Sequence, residues 1–404
     1  MKFITGGVTA PKGFTANGVH CGIRKNRTKR DLALIYSQVK GSAAATYTTN
    51  LVKGAPLTVT KKNISDGYAQ AMICNSGNAN TCNANGVEIA EQTCLELANA
   101  LNISPNDVIV ASTGVIGQPL SIIPIKQAIP SLVKDLSVDG GKYASEAILT
   151  TDLVSKEVAV EFTIDGKVCR MGGIAKGSGM IHPNMATMLV FITSDVNISP
   201  KMLEKALSGD IKNTFNMLSI DGDTSTNDMV SVICNGLAQN ELIDSEGEQF
   251  EIFMKALNTV NVNLCKMIAG DGEGATKILE CDVTGAKTIE DAKLVSKSVI
   301  CSSLLKAAMF GADANWGRVL CAIGYSGANV DVNKIDVAFK SNKGVIEVCK
   351  NGSGVDFSED LAKEILLQKE IFILVNLNDG QFSSTAWGCD LTYDYVKING
   401  DYRT

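Results

Sequence analysis

The sequence predicts an α/β protein, with mixed-sheet layers sandwiched by helices. Three observations predict it. Short β-rich apolar runs alternate with helical stretches along all 404 residues. KEVAVEFTIDGKVCRMGG, from residue 156, alternates apolar and polar around Asp165-Gly166, which reads as a hairpin. TMLVFITSD, from residue 187, has no polar face, as expected of a strand covered on both sides.

The elements follow in order. Within residues 1–70, LALIYSQ, AAATYTT and PLTVTKK read as short strands between Gly, Asn and Lys turns. AMICNSGNAN is a strand running into a Gly/Asn loop. VEIAEQTCLELANALN has helical spacing, with Ile89, Cys94, Leu95 and Leu97 near one face. DVIVASTGVIG is an apolar strand followed at once by Ser112, Thr113 and Gly114. A strand ending in a hydroxyl–glycine turn presents backbone N–H groups to an anion. IIPIKQAIPSLVKDL reads as a helix, and Ser199-Pro200 starts another as N-cap and first helical residue. MVSVICNG is a strand, QFEIFMKALNTVNVNLCKMIAG a long amphipathic helix, and DGEGATKILECDVTGA a loop into a strand. Beyond residue 285 come a helix, the loop GADANWGR, a helix, strands IDVAFK and GVIEVCK, and helix SEDLAKEILLQ. Strands IFILVNL, SSTAWGCDL and YDYVKIN close the chain. This length predicts a larger α/β lobe over 1–284 and a smaller one over 285–404, sharing one continuous core.

Composition narrows the function. The formal net charge is −6, against a nucleic-acid binder, which needs a basic face. No apolar run approaches the ~20 residues of a membrane span, and the N-terminus MKFITGGVTAPKGF has no signal-like apolar core. Twelve cysteines at uneven spacings without a CxxC pair read as reduced, mostly buried thiols in a cytoplasmic protein with no metal site. There are only two histidines, His20 and His182, and His182 sits beside Pro183 as a solvated turn residue. Acyl chemistry here therefore needs a base other than imidazole.

KGSGMIHPNMATMLVFITSD, from residue 176, offers one. Its glycines allow a sharp turn, Pro183 fixes a dihedral, and the chain enters a buried strand at Thr187. Ala186 is small and leaves its carbonyl accessible. A Thr187 hydroxyl facing that carbonyl can attack it in an N→O shift and cut the chain between Ala186 and Thr187. The new N-terminal amine, with an ordinary pKa of about 7.7–8.0, then serves as base for its own hydroxyl. From spacing alone, Thr187 is equally readable as a threonine that merely starts a strand.

This segment resembles the self-cleavage segment of the ornithine acetyltransferase family, also called glutamate N-acetyltransferase, of the cyclic arginine pathway. The resemblance extends through GGVTAPKGF, NSGNAN (75–80), ASTGVIG (111–117), TTD (150–152), DGEGATK (271–277), DANWGRVL (313–320) and NGDYRT (399–404). It implies a self-processed enzyme with an N-terminal threonine nucleophile. Chains 1–186 and 187–404 would stay together, as α2β2, and Thr187 would carry acetyl from N-acetylornithine to glutamate as an ester. It places the oxyanion hole at Thr113 and Gly114. It matches Thr150, Lys176, Glu273, Asn399 and Thr404 to substrate contacts, with Lys176 facing the α-carboxylate and Glu273 either binding an ammonium or relaying a proton. The tail would reach the site. It implies no cofactor, although some members also use acetyl-CoA as a co-substrate to acetylate glutamate. The rivals are an N-terminal-nucleophile aminopeptidase or amidase using the same Thr187, and a non-enzymatic ligand-binding α/β protein.

Overall fold

The computed structural model describes residues 1–182 and 188–400. Its strands are β1 (Lys2–Ile4), β2 (Phe14–Val19), β3 (Leu32–Tyr47), β4 (Tyr68–Asn75), β5 (Val108–Ser112), β6 (Lys156–Ile164), β7 (Lys167–Lys176) and β8 (Leu189–Ser194). They continue as β9 (Leu218–Ser219), β10 (Met229–Cys234), β11 (Ile278–Ala286), β12 (Asp336–Ser341), β13 (Gly344–Lys350), β14 (Ser353–Gly354), β15 (Glu370–Asn376) and β16 (Phe382–Cys389). The helices are α1 (Ala55–Asn63), α2 (Gly86–Leu101), α3 (Ile122–Lys134), α4 (Gly141–Ala147), α5 (Pro200–Ile211) and α6 (Glu248–Gly270). After them come α7 (Ile289–Cys301), α8 (Ser303–Phe310), α9 (Trp316–Gly324), α10 (Glu359–Leu366) and α11 (Tyr393–Gly400).

The chain forms two compact units. The first comprises residues 1–177, 183–215 and 224–264, and the second 178–182, 216–223 and 265–404. The first unit holds a mixed sheet in the order β1-β6-β7-β8-β10-β3-β4-β5, with β2 also on β3. β8 and β10 are parallel, as are β4 and β5, and the remaining pairs are antiparallel. All six residues of β8 and of β10 are buried, which for β8 is what the absence of a polar face predicts.

LALIYSQ and AAATYTT are one strand, not two. β3 runs unbroken for 16 residues, but its register on β4 shifts between Tyr36 and Gly41. Ala33 and Ile35 from its first half and Ala43 from its second lie in one core cluster with Cys74, Leu189, Phe191 and Met229. The alternate residues Leu32 and Leu34 face a second cluster, roofed by Ile89 and Leu97 of α2 and Ile125, Ile129 and Leu132 of α3. Each such side chain contributes about 1.5–3 kcal/mol of transfer free energy. Sheet layers with helices over them are what the sequence predicts.

PLTVTKK is a helix rather than a strand. Thr58, Val59 and Thr60 mimic β-propensity, but the buried set is Pro56, Leu57, Val59, Thr60 and Asn63, a helical spacing, and Pro56 stands in the first turn. The hairpin β6–β7 turns on Asp165 (φ 50°) and Gly166 (φ 73°), both left-handed, as a two-residue turn requires. Ser199 caps α5 by accepting from Met202 N–H at 3.4 Å.

The second unit holds a sheet in the order β14-β13-β12-β15-β11-β16-β9. β15 alternates buried Ile371, Ile373 and Val375 with more exposed neighbours. α7 turns Ala292, Val295, Val299 and Ile300 inward. YDYVKIN, expected as a strand, is helix α11. It buries none of its residues, and Tyr393 and Val396 are exposed, so no sheet neighbour decides its conformation.

Candidate active site

In the first unit, the end of β5 is a braced elbow. Thr113 N–H donates to Asn75 C=O at 2.9 Å, and Asn75 Nδ2 donates to Ser112 Oγ at 2.7 Å. Asn75 Oδ1 accepts from the N–H groups of Gly77 (3.2 Å) and Asn78 (3.1 Å). Buried Asn227 clamps the same turn, its Nδ2 donating to Ser112 C=O at 2.9 Å and to Ala79 C=O. Asn227 Oδ1 accepts from Thr81 and Thr226 hydroxyls, each at 2.6 Å, so its amide is satisfied. The NSGNAN loop is thus the scaffold of the elbow.

Gly114 follows at φ 128°, and a Cβ there would lie 2.7 Å from the Gly77 carbonyl carbon. Only glycine fits both the dihedral and the space. Its N–H meets no acceptor among the described residues. Lys176 Nζ donates to Thr113 Oγ1 at 3.4 Å from an almost fully buried side chain. A free N–H, a hydroxyl and a buried ammonium suit a developing oxyanion. Gly114→Ala is expected to slow any acyl transfer at this elbow by about 10²–10³, read as kcat with KM little changed.

Asp152 organises the flank. It is buried, and its Oδ1 accepts from Lys156 Nζ and Gly177 N–H, each at 2.7 Å. Its Oδ2 accepts from Thr150 N–H at 2.9 Å and lies 3.4 Å from Thr150 Oγ1. Burial opposes ionisation, but Lys176 and Lys156 outweigh it and hold the carboxyl well below the usual range. The carboxylate therefore fixes Thr150, Gly177 and the charge balance of Lys176 together.

In the second unit, Glu273 is buried and accepts from Asn399 Nδ2 at 2.7 Å on α11. Its N–H donates to Ser178 C=O at 2.8 Å, and Ser178 Oγ donates to Asp271 C=O at 2.6 Å. A Cβ on Gly179 would come within 2.4 Å of the Glu273 carboxyl carbon, so this glycine is there for close approach. The left-handed residue of the segment is Met180 (φ 56°), a non-glycine held by Asp221, which accepts from Met180 and Ile181 N–H at 2.5 and 2.9 Å. His182 is not a solvated turn residue. It is half-buried, with Nδ1 3.1 Å from Ser219 Oγ and 3.5 Å from Cys301 Sγ. Burial, then Lys297, pushes it down to about 4, so it is neutral near pH 7.

Of the sequence-derived residues, Thr113, Gly114, Thr150 and Lys176 thus gather in the first unit, and Glu273 and Asn399 pair in the second. Ala186, Thr187 and Thr404 lie outside the described residues. Asp152, Asn227 and Asp221 were not singled out. The TTD motif held the signal for Asp152, since an acid so close to a substrate-matched threonine is positioned to hold it. Among the described residues there is no group of side chains arranged to hold a metal, and no helix long and apolar enough to cross a membrane.

The sequence matches the ArgJ family over residues 15–404. It is 50% identical to the arginine biosynthesis bifunctional protein ArgJ of Caldanaerobacter subterraneus over 405 residues, the whole of both chains. It is 51% identical to ArgJ 1 of Clostridium acetobutylicum, over 97% of this chain and 96% of that one. A crystal structure of the ArgJ protein of Bacillus halodurans matches with a TM-score of 0.50 at 47% identity, covering 52% of this chain and 97% of the solved one. End-to-end identity at this level, over a fold whose strand ends carry the matched motifs, makes the chain a member of the ArgJ family.

Proposed function

We propose that this protein is an acetyltransferase of arginine biosynthesis that cuts itself between Ala186 and Thr187 and then carries acetyl on Thr187 from N-acetylornithine to glutamate. The observation that carries the proposal is full-length identity of about half to arginine biosynthesis bifunctional proteins. The elbow of Thr113 and Gly114 supports it, since both the self-cut and the transfer pass through a tetrahedral oxyanion. Within the first unit Lys176 offers a buried ammonium, the charge a carboxylate needs, and within the second Glu273, held by Asn399, offers a carboxylate, the charge an ammonium needs. The solved relative also supports the cut. That chain is about half the length of this one, as one product of a mid-chain cleavage would be.

On this reading the two fragments remain associated and pair as α2β2 in the cytoplasm. No cofactor takes part, and acetyl-CoA is a co-substrate for the second activity that the relatives' bifunctional names favour. Purified protein given acetyl-CoA and glutamate, without N-acetylornithine, is expected to release free CoA and form N-acetylglutamate. Activity only with N-acetylornithine would restrict the enzyme to transfer between amino acids. Release of acetate with no acetylglutamate would point to an amidase and sink the proposal.

A further inference from the structure

RKNRTKR, residues 24–30, carries five basic residues and no acid in a chain whose formal net charge is −6. Transfer between N-acetylornithine and glutamate gives this run no task. Its two ends are structural. Arg24 Nε and Nη2 donate to Ser76 C=O at 3.0 and 2.7 Å, and Nη2 also donates to Leu149 C=O. Arg30 pairs with Glu146 at 3.0 Å and lies 4.2 Å over the Tyr143 ring. Between these anchors Asn26 shapes the loop. Its Oδ1 accepts from Thr28 N–H at 3.0 Å and Thr28 Oγ1 at 2.7 Å, and its C=O accepts from Lys29 N–H at 3.4 Å. Lys25, Arg27 and Lys29 are left exposed, and none meets a carboxylate among the described residues. Lys142, also exposed and paired with no carboxylate, stands 4.9 Å from the same Tyr143 ring.

The base of this loop is fastened to the elbow. Ser76 follows Asn75, whose C=O accepts from Thr113 N–H. A Cβ on Gly77 would lie 2.4 Å from Ile23 Cγ2 and 3.2 Å from Arg24 Cγ, while one on Gly114 would lie 2.7 Å from the Gly77 carbonyl carbon. Gly77 is thus packed between the root of the basic loop and Gly114. Leu149, the other acceptor of Arg24, directly precedes Thr150. All these residues belong to the first unit. The uncompensated cations therefore stand off the acyl site by only a few residues of chain.

That placement selects a ligand. An amino-acid substrate carries its carboxylate beside the reacting group, where buried Lys176 answers it. Coenzyme A carries several charges, and its phosphates lie at the far end of the pantetheine arm from the sulfur. Short Lys/Arg-rich runs suit phosphates, with arginine presenting a planar fork and lysine a mobile point charge. We propose that Lys25, Arg27 and Lys29, with Lys142 beside them, form the phosphate subsite for a CoA thioester, an inference that rests on the acetyl-transfer reading above. The subsite holds the acyl donor and takes no part in the chemistry, and it serves a donor with phosphates but not N-acetylornithine.

The test titrates purified protein with CoA by calorimetry, beside kinetics with each acetyl donor, in the triple variant Lys25→Glu, Arg27→Glu, Lys29→Glu. The Kd for CoA and the KM for acetyl-CoA are expected to rise at least ~10-fold, as three exposed attractions turned to repulsions imply. Acetylpantetheine, which lacks these phosphates, and N-acetylornithine should keep their kinetics within about twofold, since exposed unpaired charges contribute little to the fold. Added salt should weaken CoA binding to the unaltered protein more than to the variant. Equal CoA affinity in the two proteins overturns the subsite, as does failure of the unaltered protein to bind CoA. Inorganic phosphate, ADP or a duplex oligonucleotide bound as tightly as CoA also overturns it, because the loop would then be an unselective anion patch. Should the triple variant not fold, Lys25→Gln with Arg27→Gln decides by the same measurements. If the unaltered protein makes N-acetylglutamate from N-acetylornithine but CoA binding ignores the loop, only the subsite fails. If it makes none from either donor, the acetyl-transfer reading fails and the subsite with it.

Discussion

Thr187→Ala is expected to purify as one uncut chain without transferase activity, and the unaltered protein is expected to yield fragments 1–186 and 187–404. The reasoning needs only the chemistry of the residue. Without the side-chain oxygen there is no N→O shift, so the new amine never forms. Without the same oxygen there is also nothing to carry acetyl between donor and acceptor. One substitution thus removes two reactions, and removing a nucleophile of this kind costs on the order of 10⁶ in kcat in other acyl-transfer machinery. Thr187→Ser retains the hydroxyl and should keep part of both activities. Intact-mass measurement reads the first effect and formation of N-acetylglutamate from N-acetylornithine the second. An alanine variant that turns over N-acetylornithine at the normal rate would put the nucleophile elsewhere.

Much of the fold was legible because burial writes a period into the sequence. TMLVFITSD carries no polar face, and β8 is buried throughout. Asp165-Gly166 announced a turn that two left-handed residues then make. Legibility failed where a local preference lost to packing or had no packing to obey. In α1, three β-branched residues in a row hid a helical buried face. In α11, no residue is buried, so a strand-like composition had nothing to fix it. At the site, the hydroxyl–glycine turn at the end of β5 was readable from the motif itself. The braces were not, because Asn75, Asn227 and Asp152 act across chain separations of tens of residues or more, and a single sequence does not reveal which distant amide meets which carbonyl.

Those braces make Asp152 the residue whose neutralisation should cost the fold most. Asp152→Asn removes the carboxylate that Lys156, whose side chain is fully buried, meets at 2.7 Å, and removes a negative charge that interacts with Lys176. Breaking a buried pair from one side costs about 3–5 kcal/mol, a large part of the ~5–15 kcal/mol that holds a typical domain together. Lys156→Met should cost less, because Lys176 and the N–H groups of Thr150 and Gly177 still answer the carboxylate. The sign with pH follows from the depressed carboxyl. Its contribution is fully present above the ordinary aspartate pKa of about 3.9 and is withdrawn as pH falls below it toward the lower folded value. Thermal melts should therefore show the unaltered protein losing stability below about pH 4, and Asp152→Asn lacking that share of the loss while starting from a lower plateau. Equal melting temperatures for Asp152→Asn and the unaltered protein at pH 7 would mean that the lysines find other partners, and the account of how Thr150, Gly177 and Lys176 are held would fall with it.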